Sequence, residues 1–168
     1  MLIDRRVEMS ILQKRKLDFE ETYDNYADIL FRLSLSYVKH REDAEDIVQE
    51  VFISYINSSP DFSDEAHKRA WLIRVAINKC RDMARRKNIR QTVSYDEIGE
   101  IATGDGSHSD SIELFSALQK LPEQNRNAII LHYFEGFSVA ETAKMLSVSA
   151  SAVKMRLSRG RQMLKELL

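Results

Sequence analysis

Apolar residues recur at three- and four-residue spacing through most of the chain, the pattern of amphipathic helices packed on one side. Phe19, Tyr23, Tyr26, Ile29/Leu30, Leu33 and Tyr37 predict a first helix over about Asp18–Lys39. Ala44, Ile47/Val48, Val51/Phe52 and Tyr55 predict a second over Glu42–Ile56, whose polar side carries Asp43, Asp46, Gln49 and Glu50. The run Asn57–Glu65, NSSPDFSDE, reads as a loop from its Ser, Pro and Asp content. A third helix follows over Ala66–Arg86 with Ala70, Leu72/Ile73, Ala76/Ile77, Cys80 and Met83/Ala84 as its apolar stripe. Trp71, Arg74, Val75, Asn78, Arg81 and Arg85 lie beside or opposite that stripe.

Periodicity lapses from about Asn88 to Asp110, where Gly99, Gly104 and Gly106 alternate with Asp96, Glu97, Glu100, Asp105 and Asp110. This is the composition of an acidic flexible linker. The pattern resumes over Ile112–Leu121 with Leu114/Phe115 and Leu118. Pro122 then opens a helix over Glu123–Glu135 with Ala128, Ile129, Leu131 and Phe134 inward, and Gly136 closes it as a C′ residue. Ser138–Leu164 reads as two helices around a tight turn. Ser138 and Glu141 form a capping box, Ala140, Ala143 and Met145/Leu146 repeat at helical spacing, and Ser147–Ser149 break the run. Ser149 N-caps a second helix with Val153, Leu157 and Leu164 on one side and Lys154, Arg156, Arg159, Arg161 and Lys165 around the rest. A short helix, a three-residue turn and a basic second helix predict a helix-turn-helix whose second element enters a DNA major groove.

The expected fold is therefore all-α: two small helical domains joined by a flexible linker, the second a helix-turn-helix. The boundaries are an N-terminal extension at 1–17, a helical domain at 18–87, the linker at 88–111 and the helix-turn-helix domain at 112–168. The extension mixes charges, with Arg5, Arg6, Lys14, Arg15 and Lys16, and reads as a frayed helix. With 168 residues, 43% hydrophobic and 30% charged, the chain has a globular composition. Its net charge of -1 hides separated blocks. Acids outnumber bases from Asp18 to Glu50, while Lys68–Arg90 holds nine basic residues against the single acid Asp82. Such separation suggests one basic and one anionic partner.

Enzyme chemistry finds little support. Asp43, Asp46 and Glu50 share a helix face, but the Glu-x-x-His pairs of a carboxylate metal site are missing, and His40, His67, His108 and His132 are scattered. No phosphate loop, G-x-S-x-G or Cys-His arrangement occurs. The single Cys80 excludes an internal disulfide and reads as a buried inert thiol. No catalytic residue, metal or cofactor is expected. No stretch has the length of a membrane span and the N-terminus has no signal core, so a cytoplasmic location without membrane insertion is expected.

Four stretches, DAEDIVQEVFI (Asp43–Ile53), AWLIRVAINKCRDMARR (Ala70–Arg86), LPEQNRNAIILHYFEGFS (Leu121–Ser138) and ETAKMLSVSASAVKMRLSRGRQML (Glu141–Leu164), together resemble the extracytoplasmic-function sigma factors, group IV of the major bacterial sigma factor family. The resemblance covers roughly Phe19–Leu167. It implies a region 2-like domain that binds the promoter minus-ten element and core RNA polymerase, and a region 4-like domain that binds the minus-thirty-five element. By it, Asp43, Asp46, Gln49 and Glu50 face the clamp coiled coil of the polymerase largest subunit, and the second domain meets the flap region. Asn78 and the loop Asn57–Glu65 capture a flipped non-template base, Trp71 takes the position of an aromatic wedge or of a buried support, and Arg74, Arg81, Arg85 and Arg86 meet phosphates. Lys154, Met155, Ser158 and Arg159 match the major-groove positions, with Arg156 on the backbone or helix surface. The acidic linker matches a segment that threads the polymerase, and an anti-sigma factor is the expected regulator. The competing expectation is a stand-alone dimeric helix-turn-helix regulator of duplex DNA.

Overall fold

A computed structural model describes residues 5–38, 40–58, 60–90 and 108–168. Among the described residues there are helices and turns but no strand. The helices are α1 (Arg5–Leu35), α2 (Arg41–Ser58), α3 (Glu65–Arg90), α4 (His108–Lys120), α5 (Glu123–Ile129), α6 (Val139–Leu146) and α7 (Ala150–Leu167); a π-helical segment, Ile130–Phe134, continues α5. Of the linker expected at 88–111, residues 91–107 lie outside the described residues, and both ends are corrected: α3 continues through Arg90 and α4 begins at His108.

Helices α1–α3 close around Leu30, Leu33, Ile47, Val51, Leu72, Ile73, Ala76 and Cys80, the residues the helical stripes nominate. The first helix departs from expectation at both ends. It runs unbroken from Arg5 through Asp18, so the extension is its first turns, with the side chains from Val7 to Asp18 exposed. It stops at Leu35, where the Ser36 hydroxyl donates to Leu33 O (2.6 Å) and the Tyr37 amide to Ser34 O (2.9 Å), turning the chain into α2.

The second core is smaller: Leu118, Leu121, Ala128, Ile129, Ala143, Val153 and Leu157. The capping box forms as expected, the Glu141 amide donating to Ser138 Oγ (3.2 Å) and the Ser138 amide to Glu141 Oε2 (2.9 Å). Ser149 Oγ caps α7 by accepting from the Ala152 amide (3.1 Å). Between them Ser147 takes a left-handed conformation, φ 55°, which ends α6. Gly136, φ 72°, ends the preceding helix.

The expected Glu123–Glu135 helix is corrected in one respect. From Ile130 it widens to i→i+5 bonding, with the Glu135 amide on Ile130 O (3.1 Å). The extra residue per turn rotates Phe134 off the core, leaving it exposed against Phe115, whereas Ala128, Ile129 and Leu131 are buried as expected.

The two regions pack on each other. Ile130, Leu131 and Met145 belong to the core of α1–α3 rather than to their own. Around them, Arg32 of α1 donates two hydrogen bonds to Glu135 (2.7 and 2.8 Å), Arg69 of α3 donates to Glu141 (3.0 Å) while lying over the Phe137 ring, and Arg81 of α3 donates to Glu123. The Tyr37 hydroxyl donates to Asn127 (2.7 Å), and the Gln119 amide to Val38 O (2.8 Å).

Candidate nucleic-acid interface

The second helix of the helix-turn-helix presents a clean outward face. Val153, Leu157 and Gly160 are buried beneath it, while Lys154, Met155, Ser158 and Arg159, at the complementary helical spacing, are exposed. Arg156 is half-buried and turns toward the seam between the regions. Arg161 is held sideways, donating to the Tyr133 hydroxyl (2.5 Å) with its guanidinium over that ring. Two cations and a hydroxyl on an exposed helix face can donate to guanine N7 and O6 or to phosphate oxygens.

On α3, Trp71, Arg74, Asn78, Arg81 and Arg85 recur as one stripe at helical spacing. Arg74, Asn78 and Arg81 line a cleft of about 580 Å³ whose other wall is Pro122–Gln124, Asn127, Met145–Ser147 and Arg156. Within it Arg81 donates to Asn78 Oδ1 (3.4 Å) as well as to Glu123, and Glu123 raises the Arg81 pKa. Arg85 and Arg86 lie beyond the cleft and are exposed; Arg85 pairs loosely with Asp82 (3.7 Å). Trp71 is half-buried, its ring 5.8 Å from Phe62 and 6.2 Å from Tyr55, so the indole supports the loop after α2 from below.

That loop walls a second cavity of about 340 Å³ lined by Asp18, Tyr55, Pro60, Phe62, Asp64, Glu65 and Lys68. Its polar groups are tied together: Tyr55 and Lys68 donate to Asp18 (2.5 and 3.1 Å), and Tyr26 donates to Glu65 (2.5 Å). Burial raises the Asp18 pKa, but these two donors outweigh it and hold the carboxyl below its ordinary value. Asp64 accepts from the His67 amide (2.7 Å) and caps α3.

The polar side of α2 is divided. Asp46 and Gln49 are exposed and have no partner among the described residues. Asp43 pairs with Lys87, and Glu50 with Lys79 (3.3 Å). These partners are lysines of α3, and none of the four side chains is buried, so the ridge stays open to solvent. Ile53 and Ile56 extend the same exposed side. No group of three His, Cys, Asp or Glu among the described residues is arranged to hold a metal ion, and none of their helices is long and apolar enough to cross a membrane.

Sequence reasoning missed the residues that join the regions. Asn125, Arg126 and Asn127 are buried, as is Thr22. Arg126 lies 4.2 Å from the centre of the Tyr37 ring and donates to Gln119 O (3.2 Å). Nothing local in EQNRN marks these positions, because their partners are Tyr37 in the turn after α1, Gln119 of α4 and Met163 of α7.

Three packed helices followed by a helix-turn-helix with a free basic face define a DNA-binding transcription protein. Residues 22–89 match the family profile of sigma-70 region 2, and residues 111–164 that of sigma-70 region 4. The chain is 30% identical over 150 residues to the ECF RNA polymerase sigma factor SigM of Mycobacterium tuberculosis, a match covering 89% of this chain and 76% of that protein. It is 31% identical over 162 residues to the ECF RNA polymerase sigma factor SigX of Bacillus subtilis, covering 88% and 82%. Among solved structures, CnrH in complex with the cytosolic domain of CnrY superposes with a TM-score of 0.69 at 26% identity, covering 90% of this chain and 88% of that one. The sigma factor RpoE of Bartonella quintana, in complex with the anti-sigma factor NepR, shares the fold with a TM-score of 0.72 at 24% identity over 89% and 96%. The chain belongs to the ECF family of RNA polymerase sigma factors.

Proposed function

We propose that this protein directs core RNA polymerase to specific promoters and helps open the minus-ten element, while the polymerase performs the phosphoryl transfer and the sigma factor itself contributes no catalytic group. The observation that carries the reading is the segregation of charge on one helical scaffold. An acidic and polar ridge on α2 lies apart from the basic stripe of α3 and the basic outward face of α7. In this reading Asp43, Asp46, Gln49 and Glu50 dock on the clamp coiled coil. Lys154, Met155, Ser158 and Arg159 read the minus-thirty-five element, with Arg156 near its backbone. Asn78 and the Pro60–Asp64 loop, supported by Trp71, take an extruded base, and the cost of unstacking it, a few kcal/mol, is recovered by hydrogen bonds to its exposed edge. Arg74, Arg81, Arg85 and Arg86 hold phosphates, which gives affinity and salt dependence without sequence. The region 2-like and region 4-like parts act as domains bounded near residues 18–87 and 112–168. The protein works in the cytoplasm. An anti-sigma factor binds it, as NepR is seen in complex with the sigma factor RpoE of Bartonella quintana.

Run-off transcription with purified core polymerase tests the proposal. Transcripts from a defined subset of promoters, absent without the protein, are expected. Tight binding of the protein alone to a palindromic duplex, with no association with polymerase, would replace it with a dimeric helix-turn-helix regulator.

A further inference from the structure

The cleft beside α3 gathers more positive charge than its own walls neutralise. Arg74 and Arg81 of α3 and Arg156 of α7 line it, and its one carboxylate is Glu123. That carboxylate is already taken: Arg81 Nε and Nη2 both donate to Glu123 Oε1 (2.8 and 2.5 Å). Arg74 meets no acid among the described residues, and its Nε donates to Ala70 O of its own helix (3.2 Å). Arg156, on the facing wall, is half-buried and has neither a hydrogen bond nor an ion pair among the described residues. The rest of the lining is that of a ligand pocket. Ile77 and Met145 give it a buried apolar floor, and the amides of Asn78 and Gln124 add donors and acceptors. Its volume, about 580 Å³, is that of small-molecule pockets and too small to admit a duplex.

We propose that this cleft is a binding site for a small polyphosphate, an inorganic chain or the phosphates of a nucleotide, held by Arg74 and Arg156 from its two walls with Arg81 beside them. Guanidinium groups are planar forks that grip phosphate oxygens two at a time. Cations gathered in a partly enclosed recess repel one another, and an anion of several charges removes that repulsion. A chain of phosphates offers oxygens to both walls at once, whereas a single phosphate engages fewer of the donors. The site does not depend on the sigma-factor reading, and a failure of run-off transcription leaves it standing.

Calorimetric titration of the full chain with sodium tripolyphosphate at low ionic strength tests the site. Wild type should bind a single tripolyphosphate per chain with saturation, and its melting temperature should rise with the added anion. Arg74→Gln and Arg156→Gln remove cations that hold no acid among the described residues, so both variants should fold and, without ligand, melt close to wild type. Each should weaken tripolyphosphate binding about tenfold or more. Lys144→Gln, which removes an exposed cation of α6 outside the cleft, should leave binding unchanged. No saturable binding by wild type would overturn the site, and so would an equal loss in Lys144→Gln, since net charge alone would then account for binding. Orthophosphate bound as tightly as tripolyphosphate would overturn the choice of a polyphosphate. Magnesium-free ATP separates the two sources. Tighter binding than tripolyphosphate supports a nucleotide with its base on the Ile77–Met145 floor, and equal or weaker binding supports the inorganic chain.

Discussion

Gly160 of α7 crosses Ile129 of α5 so closely that an added Cβ would sit 2.8 Å from Ile129 Cγ1 and 3.1 Å from its Cδ1. Glycine inside a helix costs about 1 kcal/mol relative to alanine. Here the missing Cβ is what lets α7 seat on α5 on the side opposite its exposed basic face. Gly160→Ala should therefore destabilise the protein in spite of the better helix propensity. Overpacking of this kind costs about 1–3 kcal/mol, less the propensity gain. Adding Ile129→Val, which removes the contacting methyl group, should recover part of the loss. Thermal denaturation of the two single variants and the double variant measures the coupling. A Gly160→Ala protein more stable than wild type would show that the crossing has room to spare.

Gly160 also marks what a sequence can and cannot announce. Its cost inside the helix is visible from position alone, but the neighbour that explains it is 31 residues away. The caps at Ser138 and Ser149 were legible because their hydrogen bonds close within three residues. The outward set on α7 followed from the burial of Val153 and Leu157 at helical spacing. Asn125, Arg126 and Asn127 fall in the expected Glu123–Glu135 helix outside its apolar stripe, yet they are buried because Tyr37 and Met163 supply partners from elsewhere in the chain. Phe134 fitted the inward stripe only for an α-helical period; the π-helical segment changed the period and turned it outward. The facing of Asn78 across a cleft from Arg156 depends on how two separately legible regions meet, and no local pattern carries that.

Asp46 lies on the α2 ridge, exposed and, like Gln49, without a partner among the described residues. Asp46→Arg should abolish association with core polymerase by placing like charge against a basic surface. Its effect on folding should stay within about 0.5 kcal/mol, as for surface substitutions away from special contacts. Co-purification with polymerase reads the first expectation and thermal denaturation by circular dichroism the second. Undiminished association would remove Asp46 from the docking face.

Arg159 is exposed on α7 and has no hydrogen bond or ion pair among the described residues. If it donates to a guanine edge, Arg159→Ala should weaken binding to the cognate minus-thirty-five sequence by about 1–3 kcal/mol and leave binding to scrambled duplex almost unchanged. A phosphate contact would instead weaken both equally and lower the salt dependence by about one released ion. Titrating both duplexes at several salt concentrations separates the two roles.

Glu141 is held below its ordinary carboxylate value, chiefly by the Ser138 backbone N–H, then by the Ser138 hydroxyl, with Arg69 adding to the effect. A depressed folded-state pKa stabilises the fold above the unfolded value, near 4.5, and that contribution is lost as pH falls through the lower folded value. Glu141→Gln keeps the shape and the reciprocal hydrogen bonds of the capping box but not the charge. The variant should melt below wild type at pH 7, the gap should narrow below about pH 4.5, and it should vanish once the wild-type carboxyl is protonated. Melting curves from pH 7 to pH 3 measure it. A gap that persisted unchanged at pH 3 would place the loss in the shape of the cap rather than in its charge.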